Sequence, residues 1–135
     1  MNVIVCLDNN NGMTFNHRRQ SRDKKLLADI LTLQPSKLYI NSFSEKLFSA
    51  SGLPYTLCED MLSLAKKGEY CFVENLSLKA HIPSIEKLII YRWNRTYPFD
   101  FAFDIPVQQA GFTLRSVYEF EGNSHEKITR EVFEK

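Results

Sequence analysis

The chain begins with consecutive apolar residues, Val3-Ile4-Val5-Cys6-Leu7, followed by a polar loop and a strongly charged helix start. A run that is apolar at successive positions reads as a buried strand, here residues 2–8. Asn9-Asn10-Asn11-Gly12 is a turn signal, because Asn and Gly tolerate left-handed backbone, and residues 9–20 read as a loop. Strand, loop and charged helix start are the order in which open α/β sheets build ligand sites, since the crevice lies at the carboxyl end of the strand. Chemistry is therefore expected near this loop, which carries Met13, Phe15, Asn16, His17, Arg18 and Arg19.

The rest of the chain extends the alternation. Ser21 is a suitable N-cap for a helix reaching about Gln34, with Leu26, Leu27, Ile30 and Leu31 on one face and Asp23 in the first turn. Pro35 stops it. Lys37–Asn41 reads as a second strand, and Ser42 or Ser44 can cap a short helix through Ala50. Thr56 to Lys67 is expected as a third helix with Leu57, Met61, Leu62 and Leu64 inward, and Gly68 at its C′ position. Tyr70–Val73 reads as a strand, residues 75–82 as a short helix or turn ended by Pro83, and Glu86–Trp93 as a core strand. Tyr97–Asp104 is aromatic and irregular. Thr113–Phe120 and Glu126–Phe133 read as two strands joined by a turn-rich loop. The expected product is a mixed, mostly parallel sheet with an antiparallel C-terminal edge.

A length of 135 residues suits one domain. The net charge of +1 gives no global attraction to nucleic acid or to an anionic membrane. Cys6, Cys58 and Cys71 are odd in number and widely spaced, which favours reduced buried thiols and a cytoplasmic setting. The apolar runs are too short to span a bilayer, and a signal peptide is not expected, because Asp8 interrupts the first apolar run. The dispersed His and Cys residues lack zinc-ligand spacing. No P-loop or nucleophile elbow is present.

Gly12-Met13-Thr14-Phe15-Asn16 after the first strand, Asp23 in Asp-Lys-Lys-Leu-Leu, and Ile40-Asn41-Ser42-Phe43-Ser44 at the second strand resemble the dihydrofolate reductase fold family. Pro83–Tyr91 and the two last strands are similar to that family's late core strand and terminal hairpin. The resemblance implies one α/β domain over residues 1–135, with a mixed, mostly parallel sheet flanked by helices and ending in an antiparallel hairpin. It implies that Asp23 binds a pterin ring and that a serine of Ile40-Asn41-Ser42-Phe43-Ser44 meets the phosphates of the family's cofactor, NADPH, while the departures that follow do not support the family's hydride transfer. The family also has a Gly-Gly pair after the strand facing the cofactor pyrophosphate. Here that point reads Phe72-Val73-Glu74-Asn75. Side chains there block the close backbone approach that glycines allow, and the Glu74 charge repels phosphate. A basic residue beside Asn41-Ser42-Phe43 is missing as well.

Asp23 and His17 are the candidate catalytic groups, a carboxylate in a crevice and a neutral-pH acid–base side chain. Candidate ligand-binding residues are Leu7, Met13, Phe15, Asn16, Arg18, Arg19, Arg22, Ser44 and Tyr91. The arginines suit phosphate or carboxylate recognition, or form solvated charges paired with Asp8, Asp23 or Asp29. No metal ligands are expected. Ser124-His125-Glu126 lies in a turn between strands, where such residues are ordinary. The favoured reading is a divergent dihydrofolate reductase-like protein binding an anionic pterin- or nucleotide-like molecule. The alternative is a non-catalytic RNA- or protein-binding module using the His17–Arg22 loop. On the first reading, Asp23→Asn is expected to abolish binding and leave the melting temperature nearly unchanged.

Overall fold

Residues 1–135 are all described by the computed structural model. The first apolar run forms β1 (Asn2–Leu7). Side chains alternate across a strand, so an unbroken apolar run needs cover on both faces. Accordingly β1 is the central strand of a seven-stranded sheet. Val3, Val5 and Leu7 enter one core layer, with Met13, Leu88 and Ile90. Ile4 enters the other, with Leu26, Ile30, Phe48, Phe72, Tyr91 and Trp93.

On one side β1 pairs in parallel with β6 (Tyr70–Phe72), which is followed by β4 (Leu38–Ile40) and the edge strand β5 (Thr56–Leu57), also parallel. On the other side β1 pairs in parallel with β7 (Lys87–Arg92). The C-terminal hairpin, β9 (Thr113–Phe120) and β10 (Ile128–Glu134), continues the sheet antiparallel from β7. The mixed sheet with its antiparallel terminal edge is the architecture expected from the sequence. α1 (Lys24–Thr32) and α2 (Ser42–Ser49) bring buried Leu26, Leu27, Ile30 and Phe48 to the Ile4 layer.

Local expectations needed correction. Residues 9–20 are not simply a loop. They include β2 (Gly12–Phe15) and β3 (Arg18–Arg19), which join β8 (Phe101–Ala102) in a second, three-stranded sheet. Asn16 and His17 form the two-residue turn with φ of 51° and 59°, the left-handed pair that tight hairpins demand. Asp23, not Ser21, caps α1: its backbone is extended and its carboxylate accepts from Lys25 N. The expected helix over Thr56–Lys67 shrinks to α3 (Met61–Leu64). Thr56 and Leu57 instead pair with Tyr39 and Ile40, and Cys58 N donates to Ile40 O at 2.8 Å. Leu57 and Leu64 point to solvent, so the four positions never form one buried face. Pro83 lies inside a 3₁₀ turn, Lys79–Ser84, and does not end one.

Asp29 ties α1 to the sheet. It accepts from Tyr91 Oη at 2.6 Å and from Arg130 Nη1 at 2.7 Å. Burial, with Asp29 alongside, pushes the Tyr91 phenol far above its usual range, so it stays a donor. Asp29→Ala removes the shared acceptor and is predicted to destabilise the fold by about 3 kcal/mol in urea unfolding. A change below about 0.5 kcal/mol, the scale of an ordinary surface substitution, would contradict this role.

Candidate functional site

Asp23 stands at the amino end of α1, and its carboxylate is surrounded by donors. Oδ1 accepts from Lys25 N and Asn123 N, both at 2.9 Å. Oδ2 accepts from Ser124 N at 2.8 Å and faces His125 Nδ1 at 2.9 Å. Burial by itself raises a carboxyl pKa. Here the hydrogen bonds from Asn123, His125, Ser124 and Lys25 outweigh it and hold Asp23 well below the usual carboxylate range. His125 is 4% exposed and lies stacked on Trp93, ring centroids 4.6 Å apart. Its Nε2 meets Ser21 Oγ at 2.9 Å and Tyr97 Oη at 3.1 Å. Gly122 makes this packing possible, since a Cβ there would lie 2.6 Å from Asp23 Oδ2 and 2.8 Å from His125 O.

The basic cluster does not converge on one point. His17 sits exposed in the β2–β3 turn. Arg18 borders a groove of about 500 Å³ with Phe15, Asn16, Arg19, Tyr97 and Pro98. Arg19 is also engaged elsewhere: Nε and Nη2 each reach a Glu74 oxygen at 2.8 Å, and Nη2 donates to Phe43 O at 3.2 Å. Arg22 borders a different cleft, between α1 and α2. Asp8, fully buried, accepts from Asn10 N, Gly12 N, Gln20 Nε2 and Tyr97 N, so it organises the loop and takes no arginine.

At the carboxyl ends of β4 and β6, the chain fills its own anion positions. Ser44 is fully buried and donates from Oγ to Glu74 Oε1 at 2.6 Å. Ser42 donates to Glu59 from both N, at 2.8 Å, and Oγ, at 2.6 Å. The Ser42 hydroxyl and backbone N–H hold the Glu59 carboxyl below its usual range. Glu74 is thus not a free repelling charge but one half of an ion pair that occupies this edge.

Two spaces adjoin Asp23. A small one, about 10 Å³, is bordered by Cys6, Ser21, Leu26, Phe72, Glu74 and Trp93 among others. It has room for about one water-sized group and none for a fused ring. The larger cleft, about 740 Å³, has an apolar floor of Leu27, Leu31, Leu47 and Leu53 with Arg22, Lys24 and Lys46 around it. Leu7, Met13 and Tyr91 belong to the core and border neither space.

No family model matches the chain, and no curated protein does. Among solved structures, it is similar to dihydrofolate reductase from Enterococcus faecalis complexed with NADP(H) and RAB-propyl. The TM-score is 0.67 at 13% identity, over 98% of this chain and 94% of that one. The chain has a dihydrofolate reductase-like fold.

The fold family implies NADPH, and the residues present do not fit it. Buried Val73 and Glu74, the latter held by Arg19 and Ser44, stand where the resemblance expects paired glycines, and Glu59 already caps the start of α2. No helix is long and apolar enough to cross a membrane. Sequence reading missed the engagement of Glu74, Glu59 and His125. The only signal was negative: a carboxylate standing where glycine is expected.

Asp23→Asn sets an amide donor against backbone N–H groups whichever way it is turned. It is predicted to cost at least about 2 kcal/mol at neutral pH, which revises the expectation of an unchanged melting temperature. Because the folded pKa is depressed, the Asp23 contribution is complete above its unfolded value, about 3.9, and is lost as pH falls further. The stability gap between the natural protein and the variant should therefore narrow in urea titrations below about pH 4. A gap that is constant with pH would refute it. Gly122→Ala should destabilise by about 1–3 kcal/mol through overpacking against the same carboxylate, as read by thermal melting.

Proposed function

We propose that this protein binds an anionic small molecule of pterin- or nucleotide-like size in the cleft between α1 and α2, and that it is not an NADPH-dependent reductase. The cleft itself carries the reading. It combines a leucine floor with Arg22, Lys24 and Lys46, and its one acidic side chain, Asp23, is turned to donors of its own chain. A planar or aliphatic body suits the floor, and a carboxylate or phosphate suits the rim. Against hydride transfer stand the water-sized space beside Asp23 and the Arg19–Glu74 pair at the cofactor edge. The alternative of an RNA-binding face over His17–Arg22 has weaker support, because Arg19 is already paired and the net charge is +1.

Calorimetric titrations with dihydrofolate and with NADPH test this. Dihydrofolate should bind, and Arg22→Ala with Lys46→Ala should weaken it about tenfold, or about 1.4 kcal/mol. NADPH should not bind. NADPH binding followed by oxidation in the presence of dihydrofolate would overturn the proposal, as would dihydrofolate affinity indifferent to both cations.

A further inference from the structure

The contacts that pin the β9–β10 turn to α1 also align a nucleophile, a base and a carboxylate. Asp23 Oδ2 lies 2.9 Å from His125 Nδ1, and His125 Nε2 lies 2.9 Å from Ser21 Oγ. An ionised Asp23 only accepts, so Nδ1 carries a proton, and in the neutral ring Nε2 is then the acceptor. Ser21 Oγ then donates to Nε2. This is the arrangement of roles, nucleophile to base to orienting carboxylate, that activates a serine hydroxyl. Trp93 stacks on the ring with planes 24° apart and restrains its rotation. Tyr97 Oη, 3.1 Å from Nε2, can turn from donor to acceptor when Nε2 is protonated.

Asp23 and His125 are buried, and Ser21 is the partly exposed member. It borders the water-sized space, which shares Arg22, Asp23, Leu27 and Leu47 with the large cleft. The backbone N–H groups of Ser21, Arg22 and Asp23 donate to no group of the chain.

We infer that Ser21, His125 and Asp23 form a hydrolytic centre for esters with a short acyl group, of which the water-sized space beside Ser21 has to hold no more than the carbonyl oxygen. Ser21 Oγ bonds to the ester carbonyl carbon while its proton passes to His125 Nε2. The bond from that carbon to the alcohol oxygen breaks, and Nε2 returns the proton to the departing oxygen. Water, deprotonated by Nε2, then adds to the acyl carbon, the bond to Ser21 Oγ breaks, and the serine regains its proton. Ser21 and His125 are the catalytic residues and Asp23 is a positioning residue. Only the placement of the alcohol portion in the large cleft rests on the function proposed above. The chemistry at Ser21 does not.

The test uses the full chain. p-Nitrophenyl acetate is supplied in excess and p-nitrophenolate release is followed beyond one equivalent. In parallel, the natural protein is treated with an alkyl fluorophosphonate and the adduct is mapped by peptide mass spectrometry. Expected are multiple turnovers, a fall of at least about a hundredfold in Ser21→Ala, and a single adduct on Ser21. Unchanged hydrolysis in Ser21→Ala, absence of an adduct, or an adduct on another residue would each overturn the inference. The labelling arm needs no variant to fold. Neither arm involves Lys46, so failure here leaves the ligand titrations standing.

Discussion

A carboxylate surrounded by donors organises this molecule. Asp23 satisfies one of the unpaired backbone N–H groups at the start of α1, that of Lys25, and takes the N–H groups of Asn123 and Ser124 from a turn far away in sequence. One side chain thereby fixes the first helix against the terminal hairpin. The neighbouring choices follow from it. Gly122 must lack a Cβ, His125 must present Nδ1, and Trp93 must cover the ring. A buried ionised group is tolerated only when its acceptor capacity is matched in this way.

The same physics explains how the anion-attracting ends of a dihydrofolate reductase-like sheet are filled from within the chain. Helix starts and strand ends in such sheets attract anions. In this chain the anions are internal: Glu59 at Ser42, and Glu74 at Ser44 and Arg19. Each intramolecular carboxylate is already in place, so a phosphate would have to displace Glu59 from Ser42, or Glu74 from Ser44 and Arg19, before it could bind. The space beside Asp23 is of water size. What stays open is the outer cleft between α1 and α2, whose cations lack internal acid partners.

Much of the fold was legible in the sequence because strand burial leaves a dense local signal. Val3–Leu7, Leu88–Tyr91 and the two last strands all announce themselves by composition. The helix expected over Thr56–Lys67 failed because apolar spacing cannot register that Ile40 supplies the better partner for residues 56–58. The site was legible only in part. Asp23 drew attention by its place after a loop, yet its partners lie at 123–125, and no local pattern encodes that contact. Arg19 looked like one of several free cations until Glu74 was brought beside it by β6.

The central claim is that the Asp23 carboxylate is consumed by the protein itself. Carbon-detected NMR of the side-chain carboxyls, followed from about pH 7 down to about pH 2.5, tests it most directly against the ordinary aspartate value of about 3.9. The account predicts that the Asp23 carbon shows no inflection near the ordinary value while exposed aspartates titrate there. An Asp23 inflection at the ordinary value would mean that its donors do not hold it, and the account would fail.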